Sequence, residues 1–163
     1  MKLAVTPIIV FIFFSSPTFA CYKAELSDEE NFNTCNELAQ QDADIAQIVA
    51  EDLADGIGLK ISKAGGLTRS RRHRDICCAA GLTISVQDTV GSTIAFAGIA
   101  HLGATVAEQN LRCILDCRDM VTLETASFDA PVLDGGVLVP QAPGLGITVN
   151  RDVLGTPVAI WET

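Results

Sequence analysis

Basic charge is scarce in this chain. Eleven Lys and Arg stand against 20 Asp and Glu, a formal net charge of −9 at pH 7. That balance argues against nucleic acid or an anionic membrane surface as a general partner. The basic run Arg69, Arg71, Arg72, His73 and Arg74 reads, in an acidic domain, as the solvated face of a helix. Aromatics make up only 6% of the residues, so helix–sheet contacts fall to Ala, Gly, Val, Ile and Leu, as in an α/β protein. Charged residues are 19% and hydrophobic ones 48%, which excludes a disordered chain. The apolar stretch Leu3 to Phe14 is shorter than the roughly 20 residues that span a bilayer, so no stable membrane anchor is expected. Cys113 and Cys117 have no second pair at metal spacing and no His beside them, which argues against a zinc site.

With 163 residues the chain has the length of one domain. Residues 1–20 have the form of a secretory signal: Lys2, then the apolar core, then a small-residue exit at Ser15 to Ala20. If used, the signal makes the protein secreted or periplasmic; otherwise the protein is cytoplasmic. Residues 21–34 are a polar, acidic leader without an apolar period. Six cysteines, at 21, 35, 77, 78, 113 and 117, permit disulfides in an exported chain, and sequence does not choose their pairing. Cys77 and Cys78 lie in a helical pattern, where thiols act as small buried hydrophobes.

The stretch Ile57 to Leu67 organises the remainder. It reads as a short buried strand that ends in the pair Gly65-Gly66 and turns into a helix. Alternation along an extended run through Ser62 puts Lys60 and Ser62 on one face and Leu59 and Ile61 on the other. An amine flanked by apolar strand residues needs a reason, because desolvating it costs free energy. Upstream, Thr34 to Leu38 reads as a strand end, and Asp42 to Leu53 as a helix with Ile45, Ile48, Val49 and Leu53 at helical spacing. Downstream, Thr68 is a suitable N-cap for a helix from Arg69 to Ala80. Leu82 to Val86 is the next strand. Gly91-Ser92-Thr93 opens an apolar helix to Val106, in which His101 reads as a hydrogen-bonded structural residue. Leu111 to Leu115 is a third strand.

Strand–helix alternation calls for a parallel sheet with helical crossovers. Lys60, Asp88 and Asp116 then stand together at strand carboxyl ends, the edge where such sheets and barrels hold ligands. Beyond Asp119 the pattern changes. Val121 to Glu124 and Gly136 to Val139 read as short antiparallel strands, with a turn at Asp134-Gly135-Gly136. Arg151 to Leu154 reads as one helical turn.

Three segments in combination carry a resemblance: Leu59-Lys60-Ile61-Ser62-Lys63-Ala64-Gly65-Gly66-Leu67; Gln87-Asp88-Thr89 with Gly91-Ser92; and Asp134-Gly135-Gly136 followed by Pro140 and Pro143-Gly144-Leu145-Gly146. Together they resemble the C-terminal part of the mandelate racemase/muconate lactonizing enzyme family of the enolase superfamily, over about residues 35 to 157. The resemblance implies a modified (β/α) barrel, Mg²⁺ held by acidic residues on successive strands, and abstraction of the proton next to a carboxylate. It puts Lys60 on the position of the general acid/base, whose pKa falls where an amine is desolvated near a cation. Asp88 and Asp116 are the implied substrate contacts. Asn36 falls on a metal-ligand position, where an amide oxygen can coordinate Mg²⁺ but brings no charge.

A full barrel takes roughly 250 residues. No Lys-x-Lys motif and no room for the first ligand strands are found. The expected architecture is therefore α/β: residues 35–120 as the last three or four strands of a partial barrel, and 121–163 as a short antiparallel β tail. Such a domain implies a small carboxylate substrate and, as partner, a second copy or the missing barrel half. Its expected function is that of an enolase-superfamily C-terminal domain inactive by itself. The alternative is an exported, non-catalytic half-barrel stapled by disulfides.

Overall fold

The computed structural model describes residues 9–11, 39–89, 91–133 and 136–161. Most of the signal-like segment, the polar leader with Cys21, the strand end with Cys35 and Asn36, and the turn at Asp134-Gly135 lie outside the described residues.

Strand β1 (Ile9–Phe11) comes first, and helix α1 (Asp42–Ala50) follows. The Asp44 carboxylate accepts hydrogen bonds from the backbone N–H groups of Gln40 and Gln41, at 3.1 and 2.7 Å. Side-chain capping of this kind fixes where a helix starts. Ile45 and Ile48 are buried. The helix was expected to run to Leu53, but it stops sooner. Asp52 takes φ 51°, and Leu53 N–H donates back to Ile48 O at 3.0 Å. That six-to-one bond across a left-handed residue terminates the helix.

Strand β2 (Gly56–Lys60), helix α2 (Ile61–Ala64) and helix α3 (Leu67–Ala79) follow. Here the structure corrects two expectations. The extended run does not reach Ser62: it ends at Lys60, and Ile61 already begins α2. The second helix starts at Leu67 on Gly66, not on a Thr68 cap. Both changes have one cause. Gly65 (φ 86°) and Gly66 (φ 111°) occupy backbone open to glycine. Gly65 N–H donates to Ser62 O and Gly66 N–H to Ile61 O, at 3.2 and 3.0 Å, so the pair closes a one-turn helix and launches the next.

Strand β3 (Thr83–Gln87), helix α4 (Thr93–Gly103) and strand β4 (Leu111–Ile114) complete the central unit. Ser92 caps α4, its hydroxyl accepting from Ala95 N–H at 3.3 Å. The sheet is parallel, in the order β2-β3-β4. Ile57 stands beside Ile84, Leu59 beside Val86 and then Ile114, Gly58 beside Ser85 and then Cys113, and Lys60 beside Gln87. The first two rows form the apolar face. Ile57, Leu59, Ile84, Val86 and Ile114 join Phe96, Ile99 and Leu102 of α4 and Cys77 of α3 in one core. At about 25 cal/mol per Å² of apolar surface, this burial is the main stabilising term.

The later strands are short. β5 (Ala126–Phe128) pairs antiparallel with β8 (Ile147–Val149), while β6 (Val132–Leu133) and β7 (Gly136–Leu138) form a hairpin whose second strand also pairs with β1. The strand expected at Val121 to Glu124 is instead irregular, and β5 begins at Ala126. Helix α5 (Arg151–Leu154) is the expected single turn. His101 holds this region to α4, its Nε2 lying 3.1 Å from Leu145 O.

Two expectations about side chains change. His73 is not part of a solvated basic face: it is fully buried with Ser70 and Cys77 on the inner side of α3. Its Nε2 lies 2.9 Å from Asp42 Oδ1, in a geometry that does not make a hydrogen bond. The four described cysteines, Cys77, Cys78, Cys113 and Cys117, are free thiols, so none staples the domain to another of them.

Candidate active site

Because β2, β3 and β4 run parallel, their carboxyl ends share one rim. Lys60 is the last residue of β2, Asp88 follows β3 directly, and Asp116 lies just past β4. Lys60 is half-buried, with its neighbour Leu59 turned fully into the core. Alternation therefore puts Lys60 on the face away from the helices.

That face is polar. It carries Gly58, Lys60, Ser85, Gln87 and Cys113, and Ser85, Gln87 and Cys113 are all buried. An open parallel sheet covered by helices on both sides has two apolar faces. This sheet has one.

Asp88 is held by its neighbours. Its Oδ1 accepts from the Ser62 hydroxyl and, at 2.7 Å, from Thr89 N–H. Ser62 reaches it from the first turn of α2 and also lies 3.2 Å from the Thr89 hydroxyl. Ser62 thus reaches the rim from the one-turn helix and not along an extended strand.

Asp116 is placed at the rim but is committed elsewhere. Arg118 donates to it from Nε, at 2.9 Å to Oδ1 and 3.1 Å to Oδ2, and from Nη2, at 2.6 Å to Oδ2. The Arg118 backbone N–H adds a bond of 3.1 Å. The guanidinium lies 4.1 Å from the Phe96 ring centroid and 5.7 Å from that of Phe128. The two rings meet edge-on at 5.3 Å. A forked, stacked arginine is the strong form of carboxylate pairing, so Asp116 serves to orient Arg118 and to tie β5 to α4.

Cys117 sits between these groups. Burial pushes its thiol pKa up, and the charges of Asp116, Asp119 and Asp88 push it further. It therefore stays protonated and is a poor nucleophile. Burial likewise raises Cys113, against a hydrogen bond with Ser85 and the charge of Arg112. A separate cavity of about 310 Å³ is lined by Glu124, Ala126, Ser127, Thr148, Val149 and Asn150; none of these is a rim residue.

The rim does not make a metal cage. Among the described residues no three His, Cys, Asp or Glu side chains are grouped to hold a metal ion. Asp116 is already bound by Arg118. Asn36, the ligand position implied by resemblance, lies outside the described residues. The rim does supply an amine, a carboxylate oriented by two donors, and a buried amide at Gln87 next to the amine. Sequence reading named the first two. Ser62 was placed on the Lys60 face and Gln87 appeared in the Gln87-Asp88-Thr89 segment, neither with a role; Arg118 was passed over, although an Asp-x-Arg turn marked it.

Comparison with known proteins places these observations. Residues 34–153 match the family model described as Enolase C-terminal domain-like. The chain is 40% identical over 114 residues to the cis-3-hydroxy-L-proline dehydratase of Roseibium aggregatum, covering 70% of this chain and 31% of that protein. It is 28% identical over 123 residues to muconate cycloisomerase 1 of Rhodococcus opacus, covering 74% and 32%. Among solved structures, a protein of Aspergillus oryzae assigned to the mandelate racemase/muconate lactonizing enzymes superposes with a TM-score of 0.73 at 58% identity, covering 76% of this chain and 34% of that one. A protein of Roseovarius nubinhibens ISM with the same assignment, complexed with magnesium, superposes with a TM-score of 0.73 at 53% identity and the same coverage. The chain thus spans about a third of the length of the relatives it matches.

Proposed function

Because the chain belongs to the Enolase C-terminal domain-like family, we propose that it supplies the acid/base side of a site that removes the proton next to a carboxylate. Lys60 is the group that takes and returns the proton. Asp88, oriented by Ser62 and Thr89 N–H, contacts the substrate. A dehydratase and a cycloisomerase among the relatives support a small carboxylic acid as substrate. The dehydratase, the more similar of the two, points to a hydroxylated cyclic amino acid. Abstraction by an amine needs the amine close to the substrate carbon and partly desolvated. The half-buried position of Lys60 at the rim supports that role.

The observation that carries the reading is the polar second face of the sheet, ending in Lys60. It suits the lumen side of a barrel, which other strands must close. The family's magnesium would stabilise the enolate left by proton removal. The described residues hold no cage for it. The partner is accordingly the rest of such a barrel, supplied by another chain or a second copy, and the 163-residue chain by itself does not turn over substrate.

Exchange of the α-proton of cis-3-hydroxy-L-proline in D₂O with Mg²⁺ tests this. The chain alone is expected to give none, and exchange by it alone overturns the need for a partner. Adding the portion of the Roseibium protein that this chain does not cover is expected to give exchange that Lys60→Met abolishes. Exchange undiminished in Lys60→Met overturns the role of Lys60.

A further inference from the structure

Part of the N-terminal apolar segment is built into the fold. β1 (Ile9–Phe11) pairs antiparallel with β7, with Ile9 beside Leu138, Val10 beside Val137 and Phe11 beside Gly136. β7 is thus the middle strand of the order β1-β7-β6. Its other neighbour, β6, is its hairpin partner. β1 comes from the far end of the chain, inside the stretch that has the form of a secretory signal.

The neighbours of β1 give this pairing its meaning. Val137 is fully buried and belongs to the central core, so β7 is anchored to the parallel sheet. β1 also lies against β4, the outer strand of the order β2-β3-β4, beyond which no further strand pairs among the described residues. The β7 edge that β1 covers therefore adjoins the free edge of the sheet whose rim carries Lys60. A bare edge presents a row of unpaired N–H and C=O groups and takes another strand readily. Cleavage at the exit Ser15 to Ala20 would detach β1 and leave both edges bare together. The seat accepts a short antiparallel strand, and its present occupant, Ile-Val-Phe, is apolar. Most of the length of the relatives is not covered by this chain, which spans 31% of the dehydratase.

We propose that the β7 edge beside β4 is where the complementary barrel portion, another chain, adds an apolar strand by backbone pairing, and that β1 is the chain's own occupant of that seat. The proposal rests on the reading of this chain as one part of a barrel. An incoming strand must displace a tethered one, so β1 lowers the affinity of the chain for its partner until it leaves.

The test uses the 163-residue chain, its mass showing that residues 1–20 are retained. The probe is the portion of the Roseibium protein that this chain does not cover. Ile9→Cys with Leu138→Cys puts two thiols at facing positions, close enough for a disulfide. Oxidation is expected to weaken probe binding in calorimetry at least tenfold and reduction to restore it, with the parent chain, oxidised alike, unchanged. Equal binding in the two states overturns the proposal. Val10→Pro with Phe11→Pro removes an inward N–H whichever of the two residues faces β7. It is expected to tighten probe binding at least tenfold while the Ile84 and Val86 amides keep their protection from hydrogen exchange. Protection kept with affinity no higher than the parent's overturns the proposal. A proline variant that binds itself and not the probe means that the edge takes a second copy, which overturns the partner named here. Lys60→Met keeps the two readings apart. Exchange that survives Lys60→Met, with the affinities changed as expected, sinks the Lys60 role and leaves the strand seat standing. Unchanged affinities with Lys60-dependent exchange sink the seat alone.

Discussion

Replacing Arg118 by Met keeps an apolar stem against Phe96 and removes the guanidinium. The side chains of Arg118 and Asp116 are 26% and 10% exposed, between a surface ion pair and a buried one. Surface pairs contribute about 0–1 kcal/mol, whereas breaking a buried pair costs about 3–5 kcal/mol because the remaining charge is stranded. The fork at 2.6 and 2.9 Å and the cation over Phe96 at 4.1 Å put the cost toward the middle, about 2 kcal/mol. Asp116→Asn, which keeps the shape, is expected to cost about 1–2 kcal/mol. The double variant is expected to fall short of the sum by about 1 kcal/mol or more, the coupling of the pair. With a urea dependence of about 1–3 kcal/mol per molar, Arg118→Met lowers the midpoint by about 1 M. Far-UV circular dichroism is the suitable signal, because Trp161 is 85% exposed and reports little of the core. If both single variants unfold at the parent midpoint, Asp116 is not committed to Arg118. Its reading as a substrate contact then returns.

Three further outcomes follow from particular residues. Gly65→Val is expected to destabilise by about 1–2 kcal/mol and Gly65→Asn by less, since φ 86° resists a branched side chain while a Cβ there would meet only the Arg69 side chain, at an ordinary contact distance of 3.6 Å; equal costs in urea unfolding would remove the backbone argument. Asp42 is held below the usual carboxylate range first by the hydrogen bond from Arg72, against a smaller opposing effect of burial, and then by the charges of Arg72 and His73. Its folded pKa is therefore the lower one, so its stabilisation is present above the ordinary carboxyl value of 3.8 and fades as pH falls through the folded value; Asp42→Asn should flatten the midpoint profile between about pH 2 and 5, and an unchanged profile counts against the pairing. Burial pushes the Cys77 thiol up to about 12, so iodoacetamide near neutral pH, followed by peptide mapping, is expected to label the half-buried Cys78 and leave Cys77; early labelling of Cys77 would show that α3 opens locally.

Legibility in the sequence followed the kind of force at each position. Where burial selected apolar side chains, the pattern was readable: Ile57 and Leu59 in β2, Ile84 and Val86 in β3, and the α4 helix behind its Ser92 cap. Where a buried position carries a polar residue, the pattern misleads. Ser70, His73 and Cys77 lie at spacings of three and four on the inner side of α3, yet their neighbours Arg71, Arg72 and Arg74 made the segment read as one solvated face. Four consecutive side chains cannot share a face at about 100° per residue, and that spacing was the available signal. Backbone special cases hid in the same way. The bond pattern at Gly65-Gly66, not hydrophobic period, ends the strand at Lys60 and swings Ser62 onto Asp88.

The rim combines both situations: Lys60 and Asp88 stand out in the pattern, whereas the place of Gln87 in the register and the turn that carries Ser62 do not. A lysine among apolar strand residues breaks the expected pattern and draws notice. A glutamine at a strand exit reads as ordinary surface, and only the register beside Lys60, with 4% exposure, makes it exceptional. Natural chains depart from consistent burial chiefly at functional sites. Asn110, 6% exposed and bonded from Nδ2 to Leu82 O, is no such departure: its amide is satisfied within the fold. Burial of a polar side chain therefore does not by itself mark a functional position in this sheet.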